Sequence, residues 1–481
     1  MTEHKIKVYN TLTQKKEVLV PTEDRRIRIY ACGPTVYGPP HLGHARSALT
    51  FDIIRRFLRK MGYEVTYVRN FTDIDDKIIQ RAKEMGISPA EVAERYAREY
   101  TEDMEALGLE KPDFEPRVTE NIPEIIELIV RLIDKGYAYT AGGDVFFSVK
   151  SFPGYGKLSK RSLEDMLEGA RVEVSELKRD PLDFALWKSA KPGEPSWDSP
   201  WGPGRPGWHI ECSAMSMKYL GECFDIHGGG KDLIFPHHEN EIAQSEASTG
   251  REFARYWVHN GLIEIEREKM SKSIGNIVAV RDAIGIWGKE TLRLFFLSHH
   301  YQNPADFSTR AMEEAEAALE RIYLTLARAK SLGKERGEGG EDRELAAAIE
   351  RFRRGWVDAM SDDFNTAQAL GCLFELVKSI NRSIDAYGCT KTLLDAISAI
   401  KELGELFGIL ELEPDVYLKR EKMRKRGIKI TEEEIERLIE ERTKARRERD
   451  WARADEIRRH LAEKGITLED TPSGTLWRVG G

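Results

Sequence analysis

Near the N-terminus, the spacing of the apolar residues matches first a strand, then a helix and then a second strand. Residues 27–33 form an apolar run typical of a buried strand, 43–61 have the spacing of an amphipathic helix, and 64–69 form another strand-like run. A strand, a helix and a strand in this order build a parallel pair. The pattern therefore predicts an α/β fold with a parallel sheet.

The pattern changes twice further along the chain. Helical stretches over 74–110 and from Pro123 to 135 give way to alternating strands and a Pro-, Gly- and Trp-rich segment, which we interpret as an insertion between two halves of one sheet domain. The later pattern from Ser308 to about Leu410 is helical and rich in Ala, which predicts a helix bundle. A charged, glycine-rich stretch at 333–342 is expected to be a loop within that bundle.

A chain of 481 residues is too long for one hydrophobic core, so several domains are expected. We predict a Rossmann-like catalytic domain that is split by an inserted domain, followed by a helical bundle and a small basic C-terminal domain. The expected boundaries are 1–115 and 206–305 for the two catalytic halves, 116–205 for the insertion, 306–412 for the bundle and 413–481 for the C-terminal domain.

Composition narrows the class of protein. No apolar stretch approaches the ~20 residues that cross a bilayer, and the N-terminus lacks the apolar core of a signal peptide. Five cysteines are too few, and odd in number, for a disulfide framework, so a cytoplasmic enzyme is expected. The net charge of −8 does not exclude a nucleic-acid partner, because basic residues cluster near the C-terminus.

Two short motifs point to ATP chemistry. His41 and His44 belong to the segment HLGH, which follows a predicted strand and a tight loop at the start of a helix, a position that favours phosphate binding. Lys269 and Lys272 belong to the segment KMSKS, a glycine-bounded loop suited to clamping a polyphosphate. A lysine-rich loop alone is usually a solvated turn. In this order and at this separation, the two motifs resemble the signature pair of class I aminoacyl-tRNA synthetases.

Four further residues suggest a metal site. Cys32 ends the first predicted strand, Cys212 follows the Trp-rich stretch, and His237 and Glu241 lie four apart on one face of a predicted helix. Two thiolates, an imidazole and a carboxylate can form a tetrahedral zinc site. Each cysteine alone would more often be a small core residue, but the joint pattern favours a metal. Spacing alone leaves two alternative ligands open, Cys223 and His238.

Segments 32–37, 70–77, 207–215 and 229–244 resemble those of cysteinyl-tRNA synthetases, and the resemblance covers nearly the whole chain. It implies one zinc ion that is held by the four residues above and binds the thiol of the substrate cysteine. Four protein ligands would fill a tetrahedron, so we expect Glu241 to bind loosely or the metal to become five-coordinate.

The resemblance also assigns the remaining pocket. Thr72 and Trp208 are expected to contact cysteine, and His41, His44, Lys269 and Lys272 to be the catalytic residues. The implied reaction joins L-cysteine to ATP, which carries Mg²⁺, and passes the cysteinyl group to the terminal adenosine of cysteine tRNA. A monomer is expected. The implied ATP-binding residues are Gly33, Thr35, His41, Gly43, His44, Gly230, Asp232, Lys269 and Lys272.

The C-terminal segment resembles the anticodon-binding end of bacterial cysteinyl-tRNA synthetases. Arg446, Asp455 and Asp470 match positions that contact anticodon bases there. Two alternatives are a cysteine ligase of the mycothiol pathway, which lacks such an extension, and a noncatalytic RNA-binding paralogue. The intact histidines and lysines of the two ATP motifs argue against the paralogue.

Overall fold

The computed structural model describes residues 5–169, 176–265, 268–270, 275–332, 342–428, 430–471 and 474–479. The chain forms two compact units. The first contains Met1–Glu316, Ala348–Leu376 and Glu402–Ile409, and the second contains Ala317–Ala347, Val377–Lys401 and Leu410–Gly481. Within the described ranges, no helix is long and apolar enough to cross a membrane.

Strands and helices alternate through the first three hundred residues. In chain order the elements are β1 (Lys7–Asn10), β2 (Lys15–Val18), β3 (Arg26–Ala31), α1 (Leu42–Lys60), β4 (Glu64–Arg69), α2 (Asp76–Met85), α3 (Pro89–Ala106), α4 (Ile122–Asp134), β5 (Ala138–Ala141), β6 (Asp144–Phe147), α5 (Leu163–Gly169), β7 (Phe184–Ser189), β8 (Gly204–Pro206), α6 (Trp208–Leu220), β9 (Phe224–Gly230), α7 (Glu239–Thr249), β10 (Ala254–Asn260), β11 (Ile263–Ile265), β12 (Glu268–Lys269), α8 (Val280–Trp287), α9 (Lys289–Leu297) and β13 (Ala305–Asp306).

The rest of the described chain is mainly helical. Its elements are α10 (Thr309–Leu332), α11 (Arg343–Ser361), α12 (Thr366–Tyr387), α13 (Lys391–Phe407), α14 (Pro414–Lys425), α15 (Glu432–Arg447), α16 (Trp451–Glu463), β14 (Ile466–Thr471) and β15 (Gly474–Val479). The predicted strand-like tail is an antiparallel hairpin of β14 and β15. Most of the predicted loop at 333–342 lies outside the described residues.

A four-stranded parallel sheet forms the centre of the first unit, in the order β10-β9-β3-β4. Its strands come from both sides of the insertion, which confirms the predicted split α/β fold. Helix α1 packs very closely on β9, because a Cβ at Gly228 would lie 2.1 Å from the ring of Phe51. A glycine is therefore required where helix and strand meet.

The inserted segment carries its own antiparallel sheet, in the order β5-β6-β7-β8. Its apolar side chains, among them Phe147 and Trp187, are buried in the same core as those of α4 and α6. On α7, Glu239 accepts hydrogen bonds from three backbone N–H groups of the insertion, those of Gly156 (2.9 Å), Leu158 (3.1 Å) and Ser159 (2.7 Å). One buried carboxylate thus attaches the insertion to the catalytic sheet domain.

The described second unit has a small core at its C-terminal end. Apolar side chains of α14, α15, α16 and the final hairpin are buried together, including Ile435, Leu461 and Trp477. The bounds of the five segments inferred from the sequence stay predictions.

The carboxylate of Glu239 offers a test of how the insertion is held. Replacing it in Glu239→Gln leaves one acceptor oxygen for three buried donors, so the free energy of unfolding should fall by about 1–3 kcal/mol. Urea unfolding monitored by circular dichroism measures this change. The matched control is Glu246→Gln, on the same helix. It removes the ion pair between Glu246 and Lys157 and leaves the three backbone N–H donors bound to Glu239. An equal loss in both variants would contradict the assigned role.

Candidate active site and metal centre

The two histidines of the first motif lie where the sequence places them. His41 directly precedes α1, and His44 occupies its first turn. Their rings stack with centroids 3.7 Å apart, and the backbone N–H of His41 donates to Nδ1 of His44 at 3.3 Å. Because the first N–H groups of a helix attract anions, this end of α1 suits a phosphate.

A cavity of about 350 Å³ opens at this helix end. Trp208 also lines it, as do Cys32, Arg69 and Lys77. The structure therefore brings most of the predicted ATP residues to one surface, where they lie beside one member of the predicted metal site. The residues that were predicted to bind ATP and that line the cavity are Gly33, Thr35, His41, Gly43, His44, Gly230 and Asp232.

Gly33 permits a close approach at the floor of this cavity. Its backbone N–H donates to Oδ1 of Asn70 at 2.9 Å, and a Cβ at this position would lie 1.6 Å from the Asn70 carbonyl oxygen. Only a glycine fits between the two segments. The end of β3 can therefore lie directly against the end of β4.

The second motif begins at the edge of the same cavity. Lys269 ends β12, which pairs with β11, and the next residue, Met270, lines the cavity. Lys272 lies outside the described residues. The roles of Lys269 and Lys272 in ATP chemistry stay predictions.

The four predicted metal ligands converge. Cys32 follows β3, Cys212 belongs to α6, His237 lies just before α7, and Glu241 is in the first turn of α7, yet the ligand atoms of all four lie within 4.8 Å of one another. Oε1 of Glu241 is 3.3 Å from Sγ of Cys32 and 3.0 Å from Nε2 of His237. Cys212, His237 and Glu241 are buried, and Cys32 is partly buried.

The donor set fits a zinc ion. Two sulfur atoms, one imidazole nitrogen and one carboxylate oxygen are ligands that zinc accepts in a tetrahedral arrangement. The pKa shifts of these side chains indicate that they interact strongly with one another. A hydrogen bond with Cys32 lowers the pKa of Cys212 to about 6, while burial raises the pKa of Cys32. Although burial opposes it, the nearby Glu241 carboxylate raises the pKa of His237 to about 10.

Two other histidines surround this cluster. Nε2 of His227 lies 2.8 Å from Oε2 of Glu241, and Nδ1 of His209 lies 3.0 Å from Nδ1 of His237. Each thus holds the far side of a proposed ligand, as the supporting partners of metal ligands do. Sequence reasoning missed both, although His227 is one of two polar residues, with Asp225, in a buried strand that is otherwise apolar or glycine.

Of the two alternative metal ligands, His238 and Cys223, one lies in a group of potential ligands within the part of the chain that the structure describes, and the other does not. His238 belongs to a second possible group with Cys32, His227 and Glu241. Cys223 belongs to neither group of potential ligands among the described residues. The set with two cysteines provides the softer donors, which favours it for zinc.

Trp208 separates the small cavity from a larger one. It is 37% exposed, lines both cavities, and packs against His237 with ring centroids 4.2 Å apart. The larger cavity, of about 920 Å³, is lined by both cationic and acidic side chains, among them Lys188 and Arg205, which pair with Asp76. Thr72, the other predicted cysteine contact, is buried, pairs with Thr35, and donates its hydroxyl to Glu211 at 3.0 Å.

The predicted anticodon residues lie together in the C-terminal helices and hairpin. Asp470 accepts hydrogen bonds from Arg446 at 3.0 Å and from both terminal nitrogens of Arg442, at 2.9 and 3.0 Å. The Arg442 contact holds the pKa of Asp470 well below its ordinary range. Asp455 is exposed on α16. The predicted anticodon residues thus include an ion pair, between Arg446 and Asp470, and an exposed carboxylate, that of Asp455.

Family models match three parts of the chain. A model of the "tRNA synthetases class I (C) catalytic domain" matches residues 18–317. A DALR domain matches 355–411, and a "Cysteinyl-tRNA ligase anticodon binding domain" matches 431–478. The matched segments include all the residues proposed above for the active site and the anticodon.

Full-length relatives decide the family. A cysteine–tRNA ligase of Thermodesulfovibrio yellowstonii is 54% identical over 98% of this chain and 99% of that protein. One of Geobacter metallireducens is 55% identical with the same coverage. The chain belongs to the cysteine–tRNA ligase family. It is therefore a class I aminoacyl-tRNA synthetase, and the match at 431–478 argues against a ligase of the mycothiol pathway.

Solved structures share the fold of this family member. A Mycobacterium tuberculosis methionyl-tRNA synthetase in complex with methionyl-adenylate superposes with a TM-score of 0.58 at 18% identity, and covers 75% of this chain and 83% of its own. A putative arginyl synthetase of Campylobacter jejuni gives 0.54 at 13% identity, with 80% and 93% covered. These similarities confirm the class I architecture.

The metal centre predicts a difference between two cysteines. Cys212→Ser should lose bound zinc and most cysteine-dependent pyrophosphate exchange, because a serine hydroxyl is a poor zinc ligand. Metal analysis of the purified variant and an exchange assay measure both effects. Cys223→Ser is the control, since Cys223 lies outside the cluster, and should keep both metal and activity. Normal zinc and normal exchange in Cys212→Ser would refute the ligand assignment.

Proposed function

We propose that this ligase uses ATP to activate L-cysteine as cysteinyl-adenylate and then esterifies the terminal adenosine of cysteine tRNA. One observation carries the proposal. The metal cluster of Cys32, Cys212, His237 and Glu241 meets the ATP cavity at Cys32, so a thiol can be recognised next to the phosphates of a nucleotide.

Recognition of cysteine is assigned to the cluster and to Trp208. A zinc ion held by the four side chains would supply a Lewis acid that binds the thiolate of cysteine strongly and the hydroxyl of serine poorly. Oε2 of Glu241 is held by His227, which leaves Oε1 facing the other ligands. Trp208 covers the cluster from the cavity side and would enclose the apolar part of the substrate.

Activation of cysteine needs positioning and charge stabilisation. Its carboxylate attacks the α-phosphorus of ATP. The bond between this phosphorus and the oxygen that bridges the α- and β-phosphates breaks, and pyrophosphate leaves. His41 and His44, at the N-terminus of α1, are placed to donate hydrogen bonds to phosphate oxygens, and Lys269 and Lys272 would neutralise the leaving pyrophosphate. Magnesium is expected to accompany the nucleotide. These interactions are strongest in the transition state, so they raise the rate.

Transfer to tRNA is assigned to the larger cavity. The terminal adenosine would enter between the insertion and Trp208, where Arg161 and Lys191 line the cavity and would provide positive charge near its phosphates. A ribose hydroxyl then attacks the adenylate carbonyl, and AMP leaves. Arg446, Asp455 and Asp470 would read the edges of anticodon bases. A monomer in the cytoplasm is the state that we propose for this activity.

The choice of amino acid tests the proposal. Total tRNA from a bacterial source is incubated with ATP, Mg²⁺ and each amino acid in turn, and the charged tRNA is quantified after acid precipitation. We expect cysteine to be attached to cysteine tRNA alone, and serine to be rejected without an added hydrolytic step. Efficient charging with serine, or of another tRNA, would overturn the assignment.

A further inference from the structure

Arg46 is a buried cation in α1 that the proposed chemistry does not use. It lies two residues beyond His44 and is only 2% exposed. Its guanidinium donates to backbone carbonyls, to Leu262 through Nη1 at 2.9 Å and to Asn303 and Tyr301 through Nη2. Burial lowers the pKa of Arg46 to about 10, so the side chain still carries its charge at neutral pH.

The carbonyls bound by Arg46 flank the hairpin that leads to the lysine motif. Leu262 directly precedes β11, and the segment from Tyr301 to Asn303 is separated from β13 by Pro304 alone. Strand β11 pairs with β13 on one side and with β12 on the other. Because Lys269 ends β12, the guanidinium attaches the base of this hairpin to the helix that carries the histidines.

The chain beyond the lysine motif returns to the same helix. The N–H of Leu42 donates to the carbonyl of Val278 at 3.1 Å, and the N–H of Val280 donates to the carbonyl of Pro40 at 3.1 Å. The segment between Ile265 and Val278 is therefore connected at both ends to the N-terminal part of α1. The backbone makes one of these connections, and Arg46 is the side chain that makes the other.

We propose that Arg46 is a positioning residue for adenylate formation, one that holds the base of the β11–β12 hairpin, and with it the end of β12 at Lys269, against the helix that carries the histidines. The inference rests on the proposed function, because it requires the lysines to act on the pyrophosphate of ATP. When the guanidinium is removed, the Asn303 carbonyl loses its donor, whereas the Leu262 and Tyr301 carbonyls keep the backbone N–H groups of Ala305 and Gly261. The base of the hairpin then loses this link to α1. A misplacement of about 1 Å can cost on the order of a hundredfold in rate.

The two steps of the reaction separate this role from a general contribution to stability. The lysines act while pyrophosphate leaves, so they serve activation and not transfer from a preformed adenylate. In Arg46→Gln we expect cysteine-dependent pyrophosphate exchange to fall roughly 10- to 100-fold. Single-turnover transfer from isolated enzyme-bound cysteinyl-adenylate to tRNA should stay within about twofold, and zinc content and the KM for cysteine should not change. Arg46→Lys, which keeps the charge and some donors, should recover part of the exchange rate.

A double variant tests whether Arg46 acts through the lysines. In the background Lys269→Ala with Lys272→Ala, the substitution Arg46→Gln should add much less than its single effect, because the groups it positions are gone. The matched control is Arg55→Gln on the same helix. Arg55 is equally buried but pairs with Asp52 at 3.0 Å, so its loss should lower Tm and affect both reaction steps alike.

Equal losses in exchange and transfer, or additive losses in the lysine background, would overturn the proposal and leave Arg46 as a structural residue. If Arg46→Gln does not fold, the same comparison of steps in Arg46→Lys decides the question. Failure of the proposed function gives a different result, since the unmodified enzyme would then lack exchange with cysteine.

Discussion

The buried contact between Glu241 and its neighbours is the interaction on which the site depends. A carboxylate removed from water is stable only when charged or donating groups surround it, and here His227 and His237 provide them on its two oxygens. His227 lies in β9 and His237 just before α7, while Cys32, 3.3 Å from Oε1, brings the end of β3 to the same carboxylate from 209 residues away. Loss of either histidine would leave the buried carboxylate with weaker compensation.

The position of the metal cluster beside the ATP cavity follows from the parallel sheet. Carboxyl ends of parallel strands meet at one edge, and ligands of such sheets bind there. Cys32 follows β3 at this edge, so one member of the cluster also lines the cavity at the start of α1. The insertion is attached to the same edge by Glu239, two residues from each of the ligands His237 and Glu241. The proposed sites for the amino acid, ATP and the acceptor end therefore lie within a few residues of one another.

Patterns in the local sequence predicted the elements whose formation depends on neighbouring residues. The strand 64–69 and the helix that begins at the HLGH motif follow from apolar spacing, and the convergence of Cys32, Cys212, His237 and Glu241 follows from their chemistry and from family resemblance. Arg46 could not be found in this way, because its partners lie 216 to 257 residues away. His227 and His209 lie 14 and 28 residues from their partners, and only tertiary packing brings each pair of side chains together. Gly228 illustrates the same limit, because the ring that leaves no room for a Cβ there is that of Phe51, in α1.

The central claim is that the substrate thiol binds the metal held by this cluster. X-ray absorption spectroscopy at the zinc edge, on the purified enzyme before and after addition of L-cysteine, measures the sulfur atoms bound to the metal. The account predicts one additional sulfur ligand with cysteine and none with serine. Zinc with an unchanged sulfur coordination in saturating cysteine would contradict it.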